Sequence, residues 1–110
     1  MSTRAQIWSV GPLEAEILAI MWDGAKWSSS RDVYEILRTH HPKAPRAYTT
    51  VATILNNLYE KRMVRRRKQQ RTYLFTPAVR REELVLNLVK SLRPLAGDDE
   101  TWQSILKEAS

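Results

Sequence analysis

Cysteine is absent from these 110 residues, which excludes disulfides, zinc–thiolate sites and thiol catalysis. Glycine is scarce, at three residues, and proline contributes five, so the chain is neither collagen-like nor a Pro/Gly-rich disordered segment. Long apolar runs are missing too. The longest uncharged apolar stretch later in the chain, Leu84 to Val89, falls far short of the roughly 20 residues a membrane span needs. Met1 to Leu13 hold no apolar signal-like core. The expectation is a cytoplasmic protein without membrane insertion. No nucleophile–base pair, phosphate-cradling Gly loop or paired catalytic carboxylate is recognisable, so an enzyme is not expected. His40 and His41 are the only histidines. Adjacent helical residues point in different directions and two ligands make a poor metal site, so capping or solvent roles are expected, with no metal and no cofactor.

What is present is a globular composition, 43% apolar and 27% charged, carrying a net charge of +6. That suffices for one domain with one core. The charge is unevenly placed. Ile36 to Arg81 hold twelve Lys and Arg against one acid, Glu60, whereas the rest of the chain holds six basic and eleven acidic residues. Such asymmetry suggests a polyanion partner, nucleic acid ahead of membrane, against the alternative of a merely solvated basic surface.

Helical periodicity appears first after Gly11-Pro12, with Leu13, Ile17, Ile20 and Met21, and stops at Asp23-Gly24. Lys26-Trp27-Ser28 allows only a very short strand. Ser28 to Ser30 then offer N-cap oxygens to a second helix with Val33, Ile36 and Leu37 on its apolar face, ended by His41-Pro42. A third helix is predicted from about Ala47 to Lys61, with Val51, Ile54, Leu55 and Leu58 as its stripe. Met63-Val64 and Thr72 to Thr76 read as a β-hairpin turning at Gln69-Gln70. Two further helices follow, Glu82 to Arg93 and one opened by Asp98-Asp99-Glu100; the acids at both starts suit the helix dipole. Trp22, Trp27 and Trp102 read as packing anchors, and the aromatic residues are expected to be mostly core. The fold class is therefore mainly α with a small β-hairpin: a winged helix-turn-helix over residues 1–78, then C-terminal helices, residues 79–110, as a dimerisation segment.

On a helical wheel with Val51 at zero, Thr49, Thr53 and Asn56 fall at about 160°, 200° and 140°, opposite the apolar stripe. That face carries no acid and only short, hydrogen-bonding side chains. A helix entering the DNA major groove needs both features, and Asn can pair bidentately with adenine. The alternative is a soluble helix whose outer face happens to be rich in Thr and Asn, although these are mediocre helix formers. Arg65, Arg66, Arg67, Lys68 and Arg71 crowd the hairpin, where they repel one another unless an anion is near. Strand alternation should send some of them to the far face. Arg46, just before the third helix, is a further candidate phosphate anchor.

Three stretches carry a family resemblance: Gly11-Pro-Leu-Glu-Ala-Glu-Ile-Leu with Met21-Trp22, Ala47-Tyr-Thr-Thr-Val-Ala-Thr-Ile-Leu with Leu58, and Thr72-Tyr-Leu-Phe-Thr-Pro77. Together they resemble the penicillinase-repressor and methicillin-resistance-repressor (BlaI/MecI) family of bacterial winged-helix regulators. The resemblance implies a homodimer that binds palindromic double-stranded DNA operators and represses transcription, commonly of antibiotic-resistance or stress genes. It implies DNA contacts from Tyr48, Thr49, Thr53 and Asn56, with Arg66, Arg67, Lys68 and Arg71 in the wing. Dimerisation would fall to C-terminal helices, here Leu84, Val85, Leu88, Val89, Leu92, Trp102 and Ile105. In the resistance branch a membrane sensor metalloprotease cuts in this region, which makes Asn87–Leu88 a candidate scissile bond beside the plainer reading of a dimer-helix Asn. The chain departs from the family pattern at Arg62 and at Gln69-Gln70, where the family usually has Gly, so both turns should need costlier backbone conformations or a different geometry. Its tail is shorter than usual, and the C-terminal cysteines of the copper-responsive branch are absent. Two alternatives remain open from the residues: a winged helix switched by a small-molecule effector, and a non-specific nucleic-acid or protein-interaction module.

Overall fold

The computed structural model describes residues 9–24 and 26–110. Helix α1 (Pro12–Asp23) begins with Pro where the first turn lacks a use for its N–H. The Glu14 carboxylate accepts from Gly11 N–H at 3.0 Å. Lys61 Nζ in turn donates to Glu14 Oε1 and Oε2 (2.8 and 2.9 Å) and to Ser9 O (2.7 Å), tying the start of α1 to the end of the third helix. Strand β1 (Ser28–Ser29) leads straight into α2 (Ser30–His40). There Ser29 Oγ accepts from Asp32 N–H and Asp32 Oδ2 accepts from Ser29 N–H, both at 3.0 Å, a reciprocal cap.

Helix α3 (Tyr48–Glu60) ends in a Schellman motif. Met63 N–H donates to Leu58 O and Arg62 N–H to Tyr59 O, each at 2.9 Å, and Arg62 takes φ +64° to close it. Met63 and Leu58 are both fully buried, the apolar contact that usually accompanies this cap. Strands β2 (Val64–Gln69) and β3 (Thr72–Pro77) pair antiparallel, and β1 adds to the other side of β3, giving the order β1-β3-β2. Gln69 pairs with Thr72, so the loop is Gln70-Arg71, one residue later than predicted. Gln70 takes the left-handed φ of +58°. Of the two alternatives, a costlier backbone conformation or a different turn geometry, both turns thus take the first, with a positive φ at Arg62 and at Gln70.

The core is aliphatic. Ile17, Leu18 and Met21 from α1 meet Val33 and Leu37 from α2, Val51, Leu55 and Leu58 from α3, and Met63, Val64 and Phe75 from the wing, each at most 3% exposed. At about 1.5–3 kcal/mol per buried side chain, this layer positions α3 against α2 and the sheet. Two expectations fail here. Ile36 is 41% exposed, on the flank of α2 rather than its buried face. Among the described residues the Trp and Tyr rings are not core either: Tyr48 and Tyr73 are about two-fifths exposed, and Trp22, Trp27 and Trp102 are half-buried, while Trp8 lies outside the described residues. Amphipathic rings sit at the rim, where Trp22 Nε1 donates to Val79 O at 3.2 Å and Arg67 lies over Trp27.

The chain divides into two compact units, with the boundary between Val79 and Arg80. The second holds α4 (Arg81–Ala96) and α5 (Asp99–Ala109). Gly97, at φ +85°, ends α4, and Asp98 caps α5 by accepting from Thr101 N–H at 2.7 Å. Arg93 pairs with Asp99 and lies 5.7 Å from the Trp102 ring centroid. Among the described residues no helix is long and apolar enough to cross a membrane.

Candidate nucleic-acid interface

Because Val51, Leu55 and Leu58 of α3 are buried, Thr49, Thr53, Asn56 and Asn57 must face outward, and all four are exposed. No acid lies in the first turn of α3, and no side chain caps its N-terminus. Thr50 N–H and Val51 N–H already donate to Ala47 O at 3.1 and 3.3 Å, and the positive end of the dipole faces any anion at the helix start with no acid against it. Tyr48, at the head of the helix, meets Tyr34 of α2 edge-on, with centroids 5.5 Å apart at 82°. Arg31, in the first turn of α2, lies 4.9 Å from the Tyr48 ring and 5.7 Å from the Tyr34 ring.

A cleft of about 460 Å³ runs between these elements, lined by Ser29, Ser30, Arg31, Tyr48 and Asn56 on the helical side and by Arg71, Thr72, Tyr73 and Phe75 on the wing. It brings together Tyr48, Asn56 and Arg71, three of the residues singled out from sequence. It adds Arg31 and Tyr73, which sequence reasoning missed. A signal for Arg31 existed: a cation in the first turn of a helix opposes the dipole and calls for a reason. Arg31 also pairs with Glu35 at 3.6 Å, an exposed contact of little strength.

The pleat sorts the wing cations. Arg66 stands opposite Phe75, and Lys68 opposite Tyr73, on the α3 side of the sheet; Arg65 and Arg67 stand opposite Thr76 and Leu74 on the other. Arg67 is stacked 4.5 Å from Trp27 on that far face, so it is not brought together with Asn56. Arg66 is half-buried rather than splayed out, with Tyr59 and Tyr73 at 3.9 and 4.4 Å and Asn56 Oδ1 accepting from it at 3.3 Å. Arg46 is exposed in the loop leading into α3.

His41 caps α2, in keeping with the expected capping role, but the two rings do not point in different directions. His41 Nε2 lies 2.7 and 2.9 Å from the Glu16 carboxylate oxygens and His40 Nδ1 lies 3.3 Å from Oε2, so both rings converge on one group of α1. They can do so because His41 has left helical geometry (φ −134°, ψ 65°), while its N–H still caps Leu37 O and Arg38 O. Burial raises the Glu16 pKa, but hydrogen bonds and charge from His41 and His40 outweigh it, and the net direction is down. Among the described residues no cluster of three or more His, Cys, Asp or Glu is arranged to hold a metal.

In the second unit, Val85 and Leu92 are each 53% exposed and Ile105 is 49% exposed, while Leu88, Val89 and Trp102 are half-buried. Leu84 does not belong with them: it is 3% exposed within the single chain and has no face left for a partner. Leu86, Leu95 and Leu106, not named from sequence, are exposed as well. Asn87–Leu88 lies in the middle of α4, with Asn87 exposed.

Residues 10–94, spanning the winged helix and most of α4, match the penicillinase repressor family. The chain belongs to that family. It is therefore one of a family of transcriptional regulators, not enzymes, built on a DNA-binding winged helix. Curated relatives are the transcriptional regulator BlaI of Mycobacterium tuberculosis strains CDC 1551 / Oshkosh and ATCC 25618 / H37Rv, each 29% identical over 102 residues, 93% of this chain and 72% of theirs. Among solved structures, the DNA-binding domain of the repressor BlaI superposes with TM-score 0.58 at 19% identity, over 67% of this chain and 85% of that one. The complex structure of hsRosR-S1 also gives 0.58, at 14% identity, over 91% and 88%. These two likenesses establish the shared fold.

Proposed function

We propose that this repressor-family chain acts as a homodimer on a palindromic operator, placing α3 in the major groove and the wing along the adjacent backbone. The observation that carries the proposal is the acid-free outer face of α3, with Thr49, Thr53 and Asn56 exposed and Arg31 and Arg71 flanking one cleft beside it. Short polar groups reach base edges there, and the cations and the uncapped helix start receive phosphates on either side. Arg46 and Lys68 extend the phosphate track.

The dimer rests on α4 and α5. Helix α5 buries no residue and α4 buries only Leu84, yet Val85, Leu92 and Ile105 stay about half exposed. Two such helices lack a core of their own, and a second copy of the same face supplies one. The regulated genes in this proposal are antibiotic-resistance or stress genes. A sensor metalloprotease would cut Asn87–Leu88 only after α4 unwinds locally, and the cut would detach Leu92, Trp102 and Ile105 from the DNA-binding unit.

Thr53→Ala tests the base-reading assignment. Binding to a selected operator should weaken by about 1–3 kcal/mol while binding to scrambled duplex holds. Equal weakening on both duplexes would remove α3 as the reading element.

A further inference from the structure

Resting on the proposed sequence-specific binding, we infer that Arg66 is a positioning residue that locks the Asn56 side-chain amide with its NH2 group outward, so that Asn56 meets its base donor-first. Two constraints hold the guanidinium. Pleating puts Arg66, opposite Phe75, on the α3 side of the sheet. There its Cζ lies 3.9 Å from the Tyr59 ring centroid of α3 and 4.4 Å from the Tyr73 ring centroid of β3, between a residue of the reading helix and one of the wing. From this seat Nη1 donates to Asn56 Oδ1 at 3.3 Å.

Arginine carries donors only, so it accepts one orientation of an amide and opposes the other. With Oδ1 facing Arg66, the planar amide turns Nδ2 away from it, and Asn56 is exposed. The reversed amide would set N–H against N–H. An unconstrained Asn prefers adenine, accepting from N6 while donating to N7. Arg66 takes one of the two lone pairs of Oδ1 and holds that oxygen toward the wing, so the donating Nδ2 is the end turned to the groove. Guanine O6 and N7 and thymine O4 satisfy a donor; cytosine offers only its N4 donor in the major groove and is rejected. The expected preference at this position is guanine at least equal to adenine, both well above cytosine.

The test uses the full chain and four operator duplexes differing at one base pair, the position where Asn56→Ala flattens the wild-type preference. Arg66→Met keeps an apolar stem between the two rings and removes the donor; Arg66→Lys keeps donor and charge. Wild type should reject the cytosine duplex by about five- to tenfold. Arg66→Met should move the adenine-to-guanine ratio toward adenine by about fivefold, with the log–log salt slope falling by less than about one unit. Arg66→Lys should stay near wild type. Should thermal melting show Arg66→Met unfolded, Tyr73→Leu loosens the same clamp and should shift the ratio in the same direction. The inference is overturned if Arg66→Met leaves the adenine-to-guanine ratio unchanged, whether affinity for all four duplexes holds or falls by one common factor, the latter being the signature of a phosphate contact. Failure of the underlying reading looks different: wild type itself would not distinguish the four duplexes from scrambled DNA.

Discussion

At Arg62 and Gln70 the backbone holds side-chain-bearing residues at φ +64° and +58°. This region costs an L-residue about 1–2 kcal/mol, which glycine avoids at some entropic expense in the unfolded chain. Arg62→Gly and Gln70→Gly should each stabilise the protein by about 0.5–1 kcal/mol in thermal or urea melts; a loss of stability would mean that those side chains make contacts outweighing the strain. Glu14 gives a second prediction. Burial raises its pKa, but the Lys61 hydrogen bond, the Gly11 N–H and the Lys61 charge outweigh it, and the net direction is below the ordinary 4.5. A carboxylate lowered on folding contributes stability that is complete above its unfolded value and lost as pH falls through its folded value. Melting temperatures of wild type should therefore drop as pH is lowered below about 4.5, and Glu14→Gln should show a shallower drop over the same window. Parallel curves would show that the Lys61 link contributes nothing.

Among the elements, helices were legible from sequence and side-chain partnerships across elements were not. Periodicity located α3 to within a residue at each end because Val51, Leu55 and Leu58 recur at 3.6-residue spacing and all three are buried. The wheel likewise placed Thr49, Thr53 and Asn56 on the open face. The hairpin was recognised, but its register slipped by one because nothing local distinguishes Gln69-Gln70 from Gln70-Arg71; the Gln69–Thr72 pairing decides it. Arg31 above Tyr48 and both histidines on Glu16 join distant parts of the chain, and Arg66 between Tyr59 and Tyr73 joins adjacent elements across turns; no spacing rule encodes these contacts. The same sorting yields a prediction about the wing. Arg71 lines the cleft beside Asn56, whereas Arg67 is stacked on Trp27 across the sheet. Arg71→Ala should weaken operator and scrambled DNA alike and reduce the salt slope by about one unit, with Arg67→Ala having the smaller effect. The reverse order in a filter-binding or anisotropy titration would reassign which face of the wing meets the duplex.

For the whole molecule, the distribution of charge and the distribution of exposed apolar surface point to different partners. In the proposed function the basic middle of the chain carries the face that meets DNA, and the acid-rich tail carries Val85, Leu92 and Ile105 for a second copy. Leu92→Glu combined with Ile105→Glu should convert a dimer in light scattering to a monomer, with the two-unit fold retained by circular dichroism and operator affinity lost by tenfold or more, about 1.4 kcal/mol, as two half-sites cease to be bound together. A wild-type monomer at micromolar concentration would contradict the dimer directly. The central claim is that α3 reads base sequence. Its most direct measurement is selection of bound fragments from genomic DNA, followed by titration of the recovered site against a scrambled duplex at two salt concentrations. The account predicts a palindromic site whose advantage over the scramble survives the rise in salt, since base contacts release no counterions. Weak binding to every duplex, lost in parallel as salt increases, would contradict it and leave a basic surface without a reading helix.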